Sequence, residues 1–91
     1  MKKIKLDYPL VIIYWLDHTA NAEWKELPDV KKEEPMLCQT IGWLVDEDKT
    51  TYKLCDSLTA DAGYGGLNII LKSCVTEIWD LSFPGKKKGR N

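Results

Sequence analysis

Gly65-Gly66-Leu67-Asn68-Ile69-Ile70-Leu71-Lys72-Ser73-Cys74-Val75-Thr76-Glu77-Ile78-Trp79-Asp80-Leu81 is the stretch that decides how this chain folds. It reads as two apolar β-strands joined by a very tight Lys72-Ser73-Cys74 connection, with Gly65-Gly66 as the turn before them. Two strands cannot bury an apolar face by themselves, so the rest of the chain must supply more sheet.

Upstream of it, Thr51 to Leu58 alternates Tyr52 and Leu54 against Thr51, Lys53 and Cys55, the pattern of a half-solvated strand. Asp46-Glu47-Asp48-Lys49 makes the turn before it. About Leu37 to Val45 is a further strand, in which Leu37, Ile41, Trp43 and Val45 form one period-2 set with Gly42 on the other face. The first strand spans about Leu10 to Asp17 and is apolar on both alternating faces, as expected where it is covered on both sides. Between them runs a polar loop, Thr19 to Pro35. Within it Ala20 to Leu27 suits a short helix, with Thr19 or Asn21 as N-cap, Pro28 as its stop, and Trp24 as the anchor that fastens the loop to the body.

One long first loop, then strands joined by short turns, with the last pair separated by about one helical turn, predicts an all-β fold. The expected architecture is a small five-stranded SH3-like barrel whose long first loop contains the short helix. Residues 1–8 form an N-terminal basic extension, 9–83 the barrel and 84–91 a basic C-terminal tail. Closing so small a sheet removes most exposed edges. Strand five is the edge expected to mediate any association, giving a monomer or a small homo-oligomer.

Ninety-one residues, 44% of them apolar and four of them Trp, are enough for one folded domain with one small core. The net charge of −1 conceals a segregation. Seven of the thirteen basic residues lie at the ends: Lys2, Lys3, Lys5, Lys86, Lys87, Lys88 and Arg90. All fourteen acids lie between Asp7 and Asp80, where six lysines oppose them, so this body carries eight net negative charges. An acidic body repels a phosphate backbone, which disfavours nucleic-acid binding by the barrel itself. The basic tail reads first as a solvated terminus and second as a contact for RNA, DNA or an acidic partner.

Lys2, Lys3 and Lys5 followed by the apolar run Tyr8 to Leu16 imitate a secretory signal, but Asp7, Pro9 and the β-branched Val11-Ile12-Ile13 suit a strand instead. No apolar run approaches the roughly 20 residues that span a bilayer. Cys38, Cys55 and Cys74 are odd in number and widely spaced, as reduced thiols would be. A cytoplasmic protein is the expectation.

Trp15-Leu16-Asp17, Trp24, Cys38-Gln39-Thr40-Ile41-Gly42-Trp43-Leu44-Val45-Asp46-Glu47-Asp48 and Leu71-Lys72-Ser73-Cys74-Val75-Thr76-Glu77-Ile78 together resemble a group of small uncharacterised proteins of tailed bacteriophages and prophages. The resemblance covers roughly Leu10 to Leu81 and implies a viral or mobile-element origin and no reaction. Those relatives carry Pro where this chain has Leu71, which bears only on the local turn. Gly42-Trp43-Leu44 with Asp48, followed by Gly66 to Ile78, also resembles the two-part signature of Sm-like RNA-binding proteins. The residues of their RNA pocket have no counterpart here, so only barrel geometry is shared.

Candidate chemistry is sparse. His18 with Cys38, Cys55 and Cys74 makes one conceivable zinc set, but spacings of 20, 17 and 19 residues contain no C-x-x-C pair, and packed thiols are the simpler reading. Asp46, Glu47 and Asp48 lack the spacing of a calcium loop. They suit an ordinary charged turn, or a mimic of nucleic-acid phosphates. Four Trp side chains exceed what so small a core buries, which places at least one on the surface as a contact residue.

The sequence therefore predicts a non-catalytic interaction module, without cofactor or metal, that binds a host or phage protein and inhibits a host defence factor. Its binding residues are Trp24, Trp15, Asp17, Asp46, Glu47, Asp48 and Tyr64. The alternative is a nucleic-acid or nucleotide-binding small barrel that uses Lys86, Lys87, Lys88 and Arg90 with an exposed aromatic.

Overall fold

The computed structural model describes residues 8–18, 20 and 22–82, together with the backbone of 86–89. The N-terminal lysines, Thr19, Asn21, Phe83 and Arg90 lie outside the described residues, and so do the expectations attached to them.

Five antiparallel strands make the sheet: β1 (Leu10–Asp17), β2 (Met36–Glu47), β3 (Thr51–Leu58) and β4 (Tyr64–Leu71) form a meander, and β5 (Val75–Asp80) returns to pair with the other side of β1. A short strand, β6 (Lys86–Gly89), extends the sheet, whose order is β4-β3-β2-β1-β5-β6. Within the basic C-terminal tail, the backbone of β6 pairs with β5, with Trp79 opposite Lys87 and Asp80 opposite Lys86. Lys72–Cys74 is one turn of 3-10 helix, the tight connection expected between the last two long strands. The chain is mostly β. No ladder joins β4 to β6 or β5 among the described residues, so the sheet is open where a closed barrel was expected.

β1 is central because it is the most apolar segment. Ile13 faces Thr40 of β2 on one side and Ile78 of β5 on the other. One face of the sheet carries the core: Val11 and Ile13 from β1, Leu44 from β2, Tyr52 and Leu54 from β3, Ile70 from β4, and Val75 and Ile78 from β5. Val11, Ile13 and Leu54 are wholly inaccessible, and each such side chain contributes on the order of 1.5–3 kcal/mol of transfer free energy. Trp15 packs on the edge of this cluster.

On β2 the buried face is the one bearing Gly42 and Leu44, while Leu37 and Ile41 of the alternate set are exposed. Gly42 explains the choice. A Cβ there would lie 2.9 Å from the Cys55 carbonyl oxygen, so the close approach of β3 to β2 requires glycine at that point. β2 is paired with β1 from Met36 to Trp43 and with β3 from Trp43 to Glu47, and the β2–β3 ladder shifts register between Leu44 and Asp46.

Two local expectations are corrected. Gly65-Gly66 lies inside β4 and is not a turn; the turn is Thr59 to Gly63, closed by the Thr59 amide donating to the Gly63 carbonyl at 3.0 Å. Gly66 has a φ of +65° and faces the Asp56 carboxylate, a left-handed backbone position within a strand that suits glycine. The helix, α1, is Leu27–Lys32 and not Ala20 to Leu27. Pro28 opens it instead of ending it, because a proline in the first turn gives up an amide that has no partner there anyway. Its N-cap is accordingly Glu26, and Glu33-Glu34-Pro35 carries the chain out into β2. No described helix is long and apolar enough to cross a membrane.

Candidate interaction surface

The long first loop stands away from the sheet as an arm. Every described residue from 22 to 37 is exposed, and α1 buries none of its side chains. Trp24 is fully exposed at 101%, so it anchors nothing, contrary to the sequence expectation that it fastens the loop down. Leu27, Val30, Met36 and Leu37 are also more than half exposed. Six residues make barely two turns of helix, too short to hold itself without packing. What fixes the arm is Lys25, whose ammonium meets Glu33 at 3.0 Å and ties the approach to α1 to its exit. Apolar side chains left uncovered in this way are the kind from which contact surfaces are built.

The acidic turn is built differently. Asp46 and Glu47 close β2, and Asp48 opens the turn to β3. The Asp48 Oδ1 accepts from the Thr50 amide at 2.9 Å, and from the Thr51 amide and hydroxyl, each at 2.8 Å. These bonds, the Thr50 amide first, hold the Asp48 carboxyl far below the usual carboxylate range. Lys53 meets Asp46 at 3.2 Å and Asp48 at 3.6 Å, and its own ammonium is held protonated above the ordinary lysine value, chiefly by the bond to Asp46. Lys72 bonds Glu47 at 2.7 Å and sits 4.9 Å over the Tyr52 ring. Its backbone amide donates to the Thr50 carbonyl at 2.8 Å, which bolts the 3-10 turn to the hairpin. The three acids are therefore matched by two lysines and serve the turn.

Trp24 and the acidic turn lie beyond opposite ends of β2. Twelve residues of strand separate those ends by roughly 36 Å of chain path.

Of the other sequence-singled residues, Trp15 donates its indole N–H to the Thr40 hydroxyl at 2.9 Å and belongs half to the core. Tyr64, at the start of β4, stacks edge-to-face on Tyr8 with ring centroids 6.0 Å apart and shares a 2.7 Å hydroxyl–hydroxyl bond with it. Trp15 and Asp17 do come together, in a cleft of about 310 Å³. Its walls are Trp15, Leu16, Pro35, Ile69, Leu71 and Cys74, with Asp17 and the exposed His18 beside them. Sequence reading missed this cleft because its parts come from four separate segments. The available signal was β4 itself, eight residues without a charge.

No group of three His, Cys, Asp or Glu side chains converges on a metal position among the described residues. Cys38 and Cys74 are half-buried, Cys55 is buried, and all three are free thiols. Neither protein-family models, nor curated proteins, nor solved structures offer a match to this chain.

Proposed function

We propose that this protein is a non-catalytic interaction module whose first loop docks onto a protein partner. The observation that carries the reading is the stretch from residue 22 to residue 37: an indole fully in water, then a short helix with Leu27 and Val30 exposed and no side chain buried, then the exposed Met36 and Leu37 at the start of β2. Trp is the residue type most enriched at binding hot spots, and an uncovered apolar arm gains most when a partner covers it.

An SH3-like arrangement of the sheet belongs to the same proposal. It is supported by the meander order, by the β1–β5 pairing and by the 3-10 turn between β4 and β5. So does a phage or prophage origin with a host or phage protein as the partner, and inhibition of a host defence factor in the host cytoplasm as the outcome. These rest on the sequence resemblance and the acidic body. The contact residues are Trp24 and the apolar side chains around it, with Asp17 at the foot of the arm. Asp46, Glu47 and Asp48 are assigned to the turn, because Lys53 and Lys72 already match their charge.

The test is affinity capture from host lysate with the wild-type chain and with Trp24→Ala. A specific protein retained by the former and lost by the latter is expected. An unchanged set of captured proteins overturns the role of the arm. The nucleic-acid alternative draws on β6, which sets Lys86, Lys87 and Lys88 in an edge strand. Binding of that kind weakens steeply with added salt and on truncation at Pro84, whereas docking through an apolar arm responds to neither.

A further inference from the structure

We infer that the free edge of β4 is a self-association site, pairing antiparallel with β4 of a second copy about a two-fold axis at Ile69. β5, the edge expected from sequence, is flanked by β1 and β6 and is not available. β4 is paired with β3 along one side from Tyr64 to Leu71 and, among the described residues, ends the sheet on the other. Such an edge presents unpaired amides and carbonyls, and monomeric proteins usually protect it with charges, prolines or shortness. β4 has none of these protections. It runs Tyr-Gly-Gly-Leu-Asn-Ile-Ile-Leu, eight residues with neither a charge nor a proline. Leu67, Ile69 and Leu71 occupy alternate positions on one face and are 58%, 58% and 53% exposed.

Charge and symmetry select a second copy as the occupant. The excess of acids between Asp7 and Asp80 is balanced by the basic ends to a net charge of −1, so what favours a second copy at β4 is local: the strand itself carries no charge. An approach along β4 brings no like charges together. The opposite edge, β6, is three lysines and a glycine and does not suit its own copy. A two-fold axis makes the contact isologous, with each strand answering itself. With Ile69 on the axis, Leu67 of each copy stands opposite Leu71 of the other. The three exposed side chains then form three consecutive apolar rungs, in which cross-strand pairs stabilise the ladder. The cleft walled by Ile69 and Leu71 continues this apolar surface toward Leu16 and Pro35. One strand pair buries a modest area, so the dimer forms in proportion to concentration. This association is independent of the arm.

The test is light scattering and sedimentation of the full chain, under reducing conditions, over a wide concentration range. Ile69 is exposed, so Ile69→Lys and Ile69→Glu leave the core intact, which unchanged thermal melting verifies. The wild type is expected to pass from monomer to dimer as concentration rises. Each single variant is expected to stay monomeric, because it sets two like charges on the axis. An equimolar mixture of the two variants is expected to dimerise again, since Lys then faces Glu. A monomeric wild type throughout overturns the inference, whether its β4 amides are free or protected by another part of the same chain. Dimers that persist in both single variants overturn it equally, and a mixture that fails to dimerise overturns the register about Ile69.

Discussion

The sheet and the arm use similar apolar residues to opposite ends. Val11, Ile13, Leu54 and Ile78 lie under 2% exposed in the sheet, whereas Leu27, Val30, Met36 and Leu37 on the arm exceed half exposure. Strand partners make the difference. Each core residue belongs to a strand flanked by neighbours that bring further apolar side chains to the same face. Leu27 and Val30 have no strand beside them, and Met36 and Leu37, though paired with β1, have no second layer over them among the described residues. Stability therefore resides in the sheet, and the arm's apolar side chains are spare to the fold.

That division can be broken experimentally. Ile13→Val removes one methylene from the closed centre of the core and is expected to cost about 0.5–1.5 kcal/mol in urea unfolding, while Ile13→Ala approaches the range of about 2–5 kcal/mol at which so small a domain ceases to fold. A cost near zero would mean that the sheet is not packed as described. Of smaller effect is Asp48→Asn. Because Asp48 titrates lower in the folded chain than in the unfolded one, its contribution is complete above the ordinary carboxylate pKa of about 4 and fades as pH falls below it. The acid side of the stability profile is expected to be shallower in Asp48→Asn than in wild type, with the two curves differing most at neutral pH. Parallel curves would detach the turn from Asp48 ionisation. Smallest is Trp24→Ala, expected to shift the unfolding free energy by less than about 0.5 kcal/mol although it removes the largest side chain on the arm. A loss comparable to that of Ile13→Val would show the indole packed on the body in solution.

How much of this was legible in the sequence follows from how local each cause is. β1 and β3 were readable to the residue, β1 from its continuous apolar, β-branched run and β3 from alternation, with flanking polar residues fixing the ends. The tight connection at Lys72–Cys74 was readable for the same reason. The helix was misplaced because Pro28 serves equally as a stop or as a first-turn residue, and only the course of the chain beyond it decides. The buried face of β2 was hidden because glycine adds nothing to an apolar count. Gly42 is instead demanded by the Cys55 carbonyl, a contact thirteen residues away in sequence. Of the candidate site, the exposure of at least one Trp was foreseeable from the size of the core. The pairing of Asp46 and Asp48 with Lys53, and of Glu47 with Lys72, was not, because those partners meet only across the ladder and the 3-10 turn.

Cys55, 2% exposed and set in a cross-strand row between Trp43 and Leu67, gives the sheet an internal chemical clock. A thiol reagent reaches that sulfur only during excursions in which β3 parts from its neighbours, whereas the half-buried Cys38 and Cys74 answer to smaller motions. Alkylation of the native chain thus resolves into two classes of rate, and the slow one times the opening of the molecule's own centre.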